Sequence, residues 1–236
     1  MATPAEAGAW PTLRQLRQAI LELLYPTRCV GCRRAAEIWC GDCQARLAPV
    51  STPVCLACRR ELRRRNRNHA CPDSAARAWA TARYRPPLDR ALTHLKYHPD
   101  ARLVGSLATR LEQTYLHAGE AASCVAAVPL GRKRLKQRGY NQAELLGRAL
   151  AESLRLPFHP SAASRIRETE SQVGLDPKAR WANVDRAFQA DPSIVRGHIV
   201  LLVDDVHTTG ATLASCAAAL TQAGAAGVVG LTVARA

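Results

Sequence analysis

The chain has 236 residues, 47% of them hydrophobic and 22% charged, with a formal net charge of +14. That length holds one medium domain plus a small appendage, and that apolar fraction excludes wholesale disorder. The charge predicts attraction to polyanions, and no apolar run approaches the roughly 18 to 20 residues of a membrane span.

The first seven residues, Met1 to Ala7, carry neither a basic n-region nor an apolar h-region, so no signal peptide is expected. The expected location is the cytoplasm. Thiols stay reduced there, so the nine cysteines read as metal ligands or core residues rather than disulfides. The expected organisation is an amphipathic helix within 1–27, a zinc-binding double-zinc-ribbon-like module over 28–78, and an α/β domain over 79–236. In the first segment Leu13, Leu16, Ile20, Leu23 and Leu24 recur at helical spacing, Thr12 is a candidate cap and Pro26 lies beyond the end.

Next come Cys29-x-x-Cys32 and Cys40-x-x-Cys43. Two such knuckles can place four thiolates tetrahedrally around one Zn²⁺. A small segment with few large apolar residues needs such a staple to hold a fold. Cys55-x-x-Cys58 is another knuckle, followed later by His69 and Cys71, while Ser74 stands where a further CxxC would place its second sulfur. A second zinc could use Cys55, Cys58 and Cys71, with or without His69; the competing reading is an eroded, metal-free site.

Between these cysteines Arg59, Arg60, Arg63, Arg64, Arg65 and Arg67 crowd into nine residues. Such a run attracts a phosphate backbone; the competing reading is a solvated, self-repelling loop. It contains no aromatic residue for base stacking, so backbone contact without sequence reading is expected.

The rest alternates strand and helix patterns, which implies a mainly parallel sheet covered on both faces. Strands are predicted over 121–128, 158–166, 199–203 and 228–233. A helix is predicted where Ala143, Leu146, Leu150 and Leu154 share a face, and another over 211–223. Asp176-Pro177 reads as an N-cap with Pro at the first helical position. A basic loop, Arg132 to Arg138, follows the first of these strands. In open α/β sheets ligands bind beyond the carboxyl ends of strands.

The stretch Val200 to Leu213 joins a buried strand, the acids Asp204 and Asp205, a small-residue turn and a helix start. Helix N-termini present unpaired amides and favour anions. Thr208, Thr209 and Thr212 add hydroxyls, and Gly210 lets the backbone approach closely. This order resembles the phosphoribosyl-pyrophosphate (PRPP) motif of type I phosphoribosyltransferases.

A wider set carries a second resemblance: Leu95-Lys96-Tyr97, Pro129-Leu130 with its basic loop, Arg138-Gly139-Tyr140-Asn141-Gln142-Ala143-Glu144, Glu168 to Leu175, Arg180 to Val184, and the CxxC pairs ahead of them. With these the chain is similar to the ComF family, the ComFC/GntX-like group. The resemblance implies a type I phosphoribosyltransferase-like parallel sheet with an N-terminal zinc module. It implies that Asp204 and Asp205 meet the ribose hydroxyls, and that they form the catalytic pair of a transferase. Thr208, Thr209, Gly210, Ala211 and Thr212 would wrap the 5-phosphate. Leu130, Gly131, Arg132 and Lys133 would meet the pyrophosphate, with Mg²⁺ accompanying PRPP. Arg165 to Gly174 correspond to the hood of this fold.

Three functions remain open from sequence. The first is a competence or DNA-handling protein that binds single-stranded DNA and a ribose phosphate, with a helicase-like partner implied by the family. The second is an active phosphoribosyltransferase with an unknown acceptor. The third is a protein-interaction adaptor.

Overall fold

The Val200–Val203 run lies on an interior strand of a mainly parallel sheet, as an unbroken apolar stretch buried on both faces should. The computed structural model describes residues 26–35, 37–62, 71, 76–167 and 186–236. The helix expected over Leu13 to Leu24 and the one opening at Asp176 lie outside the described residues. Those described form, in chain order, α1 (Gly41–Ala45), β1 (Val54–Cys55), β2 (Arg77–Arg83), α2 (Leu88–Tyr97), α3 (Ala101–Ala118) and β3 (Cys124–Ala127). There follow α4 (Arg132–Arg138), α5 (Gln142–Leu154), β4 (Ala163–Arg165), β5 (Phe188–Ala190), α6 (Pro192–Val195), β6 (Ile199–His207), α7 (Ala211–Gln222) and β7 (Gly227–Arg235).

Five strands form one sheet in the order β1-β2-β7-β6-β3. All neighbours run parallel except the short edge strand β1. Strand alternation divides the core. Leu201, Val203, Leu231 and Val233 pack with the apolar faces of α2, α3 and α5. Val200, Leu202 and Val228 pack with Leu213, Cys216 and Leu220 of α7 and with the antiparallel β4–β5 pair. Helix starts follow from side chains. Asp100 accepts from Arg102 N at 2.9 Å and Leu103 N at 3.2 Å to open α3, and Asn141 accepts from Ala143 N at 3.1 Å to open α5.

The Cys-rich module packs into the same core. Cys29, Trp39 and Cys43 lie in one cluster with Leu88, Leu92 and Leu95. Arg90 Nη1 donates to Gly31 O at 2.8 Å. Gly31 is required by close approach, since a Cβ there would lie 2.7 Å from Cys43 Sγ and 3.0 Å from Pro87 Cβ.

Three elements differ from expectation. β6 runs four residues past Val203, because β7 continues beside it and pairs Asp204 with Thr232 and His207 with Arg235. The predicted strand over 158–166 shrinks to β4: a turn at Pro160 and Ser161 interrupts it, and Phe158 makes only an isolated bridge to Val125. The basic loop is the helix α4. Its residues are good helix formers, and Gly131 and Gly139, the latter left-handed, bracket it. Among the described residues, no helix is long and apolar enough to cross a membrane.

Candidate functional site

β3 and β6 are parallel neighbours with Ala127 opposite Val203, so the segment that leaves β3 starts beside Val203 and β6 runs four residues beyond it. After β3 come Leu130 and Gly131, the N-cap of α4, with Arg132 and Lys133 exposed in its first turn. After β6 come Thr208, Thr209 and Gly210, then Ala211 and Thr212 in the first turn of α7. Gly210 has φ of +75°, a left-handed conformation that any other residue would hold under strain. It caps α7 without a side-chain hydrogen bond, and Thr209 Oγ1 accepts from Ala211 N at 3.4 Å. The first turn of α7 is where the sequence leads one to expect amide donors for an anion. The turn is open: it borders a cavity of about 320 Å³, walled on the far side by Cys55, Leu56 and Arg59 of the second knuckle.

The two acids stand at successive strand positions and face opposite sides of the sheet. Asp205 is buried on the α2–α5 side. Its Oδ2 accepts from Gln142 Nε2 at 3.3 Å and lies 3.6 Å from Lys96 Nζ. Its Oδ1 accepts from Val206 N at 2.8 Å. Asp204 lies on the α7 side, keeps partial access to solvent, and accepts from Asp205 N at 2.8 Å. Crowding by protein atoms and the neighbouring Asp205 charge hold its carboxyl well above the usual carboxylate range.

The residues from Arg138 to Gln142 form a brace that local spacing does not reveal. Arg138 Nη1 donates to Gln142 Oε1 at 2.9 Å, and Tyr140 OH donates to Leu95 O at 2.7 Å. Asn141 caps α5 and donates through Nδ2 to Val128 O at 3.0 Å. Lys96 and Gln142 reach Asp205 from distant parts of the chain. The signal that could have found them is polar side chains within an otherwise apolar helix face.

His207 is a core histidine. It is buried, with Nδ1 2.9 Å from Thr232 Oγ1. Burial and the nearby Arg235 charge push its pKa down to about 4. Cys124 and Cys216 are fully buried thiols whose pKa burial pushes up.

In the Cys-rich module the four sulfurs of Cys29, Cys32, Cys40 and Cys43 lie within 4.8 Å of one another. Cys29 and Cys43 Sγ are 3.7 Å apart, as are Cys32 and Cys40 Sγ. Tetrahedral Zn²⁺ with bonds of about 2.3 Å to sulfur requires edges of about 3.8 Å, so this set fits zinc. Burial raises the Cys29 thiol, but amides of Cys40, Cys32 and Gly31 outweigh it and bring it down to about 6. Burial and hydrogen bonding to Cys29 push Cys43 up. Cys55, Cys58 and Cys71 also converge within 4.8 Å. They offer three thiols, and among the described residues no fourth Cys, His or acid joins them. His69, Ser74, Arg63, Arg64, Arg65 and Arg67 lie outside the described residues. Arg59 and Arg60 are exposed beside the second knuckle.

The double zinc ribbon domain family matches residues 20–75. The DNA utilization protein YhgH of Escherichia coli (strain K12) is 33% identical over 162 residues, which cover 66% of this chain and 71% of that protein. Competence protein F of Haemophilus influenzae is 29% identical over 203 residues, covering 79% and 87%. The chain belongs to the ComF family. This ComF-family chain carries the Cys-rich zinc ribbon at its N-terminal side, and its larger part has the parallel sheet flanked by helices that is expected of a type I phosphoribosyltransferase-like fold, with the acid pair near the carboxyl end of β6. A solved glutamine PRPP amidotransferase from B. subtilis, complexed with ADP and GMP, superposes with a TM-score of 0.41 at 20% identity. The match covers 59% of the ComF-family chain and only 30% of that enzyme.

Proposed function

We propose that this chain holds PRPP or a related ribose phosphate at the carboxyl end of β6 and binds single-stranded DNA through its basic zinc module. One observation carries the first half. The Thr208–Gly210 turn is open, left-handed at Gly210, and leads into a helix whose first amides can donate to an anion, with Val206 and His207 between it and the two acids. Thr208, Thr209, Gly210, Ala211 and Thr212 bind the 5-phosphate. Asp204 and Asp205 accept from the ribose hydroxyls, with Gln142 and Lys96 fixing Asp205. Leu130, Gly131, Arg132 and Lys133 face the pyrophosphate. The two carboxylates and the phosphate-facing cations suit Mg·PRPP, and the Mg²⁺ would neutralise phosphate charge while keeping most of its waters.

The DNA half rests on the +14 charge, the arginines flanking the second knuckle, and the DNA-related names of relatives. The place of action is the cytoplasm, where the thiols stay available to zinc. Its test is a salt titration of single-stranded DNA binding. Binding should weaken steeply with salt, and Arg63→Ala, Arg64→Ala and Arg65→Ala together should flatten the slope. Affinity indifferent to salt and to these substitutions removes the claim.

A transferase reading has its own support. Arg132 and Lys133 open a helix beside β3, where leaving pyrophosphate would need cationic donors. Pyrophosphate release that depends on Asp204 and Asp205 would establish it.

A further inference from the structure

The basic surface does not end at the zinc module. α4 carries Arg132, Lys133, Arg134, Lys136 and Arg138, contains no acid and buries no residue. Residues three and four apart share a helix face, so Arg134, Gln137 and Arg138 line up. Facing them are Lys96 and Tyr97 at the end of α2, and the five side chains enclose a groove of about 240 Å³. Tyr97 is 70% exposed, the only aromatic among the large hydrophobic side chains left open to solvent in the described residues. The groove is braced: Tyr140 OH holds Leu95 O at 2.7 Å, and Arg138 is fixed on Gln142 at 2.9 Å.

We propose that this groove seats one unpaired nucleotide of a single-stranded nucleic acid, with the base stacked on Tyr97 and the flanking phosphates on Arg134 and Arg138. This extends the DNA reading above and rests on it. A drug-sized ligand needs a pocket of at least about 300 Å³; this groove suits a single planar ring. An exposed aromatic ring among cations matches a strand that repeats a flat base and a phosphate. A duplex hides its π-faces, and an acidic peptide supplies charge without a ring. The Arg run at the ribbon lacks an aromatic residue, so the groove supplies the stacking platform that the run cannot. Lys96 also reaches Asp205, which sets the seated nucleotide beside the ribose-phosphate pocket.

The test uses the full-length, zinc-loaded protein and fluorescence anisotropy with two labelled probes. One is an oligothymidylate; the other is an abasic oligomer of the same length. Tyr97→Ala should weaken oligothymidylate binding roughly tenfold and leave the abasic probe unchanged, while Tyr97→Phe keeps wild-type affinity for both. Arg134→Ala should weaken both probes and reduce the salt slope by about 0.7. Unchanged abasic binding also reports that the two Tyr97 variants are folded. If Tyr97→Ala matches wild type on both probes, the groove is not the base site, although the DNA reading stands. If wild type binds neither probe at low salt, both readings fall.

Discussion

Gln142 Nε2 donates to Asp205 Oδ2 across 3.3 Å, tying the first turn of α5 to the acidic end of β6. The same Gln142 accepts from Arg138 at 2.9 Å, so one amide side chain connects α4, α5 and β6. This fixes the orientation of Asp205 before any ligand arrives. Gln142→Ala should raise the Kd for ribose 5-phosphate roughly fivefold, since a net hydrogen bond contributes about 1 kcal/mol. Gln142→Glu, which sets a like charge against Asp205, should abolish binding. Calorimetry on both variants checks this; unchanged affinity in both would remove Asp205 orientation from the account.

Zinc should stabilise the whole described fold and not the ribbon alone. Cys29 and Cys43 belong to the cluster that contains Leu88, Leu92 and Leu95 of α2. Chelation should therefore lower Tm in one cooperative transition, followed by scanning calorimetry. Gly31→Ala tests the same joint without replacing a ligand residue. Its Cβ would meet Cys43 Sγ at 2.7 Å and Trp39 at 2.9 Å, so overpacking should lower Tm by roughly 4–10 °C. A separate low-temperature ribbon transition would contradict the shared core.

Much of this architecture is legible in the sequence, for definite physical reasons. The apolar run Val200–Val203 and the small-residue turn after it announce a buried strand and the helix start that follows without any tertiary information. The two first knuckles announce their tetrahedral set by spacing alone. Other features are set by contacts across the sheet. The extension of β6 to His207 depends on β7 running alongside it. Lys96 and Gln142 meet Asp205 only because α2 and α5 cover one face of the sheet. Tyr97 looks like an ordinary helix-end residue until α4 is set opposite it.

His207 predicts an acid-side loss of stability. Thr232 Oγ1 is directed at the carbonyls of Trp79 and Ala234, which leaves it to accept from His207 Nδ1, and burial keeps the ring neutral. Its folded pKa is about 4, against an ordinary value of 6.5. Between those values the unfolded chain binds more protons, so stability is full above pH 6.5 and falls as pH drops toward 4. Urea unfolding between pH 7.5 and 5 should cost wild type about 2 kcal/mol more than His207→Gln. Equal losses in the two proteins would mean that the ring takes up its proton without cost.

The central claim is that the turn after β6 grips a ribose phosphate. Titration calorimetry of Mg·PRPP into the zinc-loaded protein tests it most directly. The account predicts one site per chain, competed by ribose 5-phosphate, weakened by Gly210→Ala and lost when Asp204→Asn and Asp205→Asn are combined. No binding of either ligand at millimolar concentration, by folded wild-type protein, would contradict it.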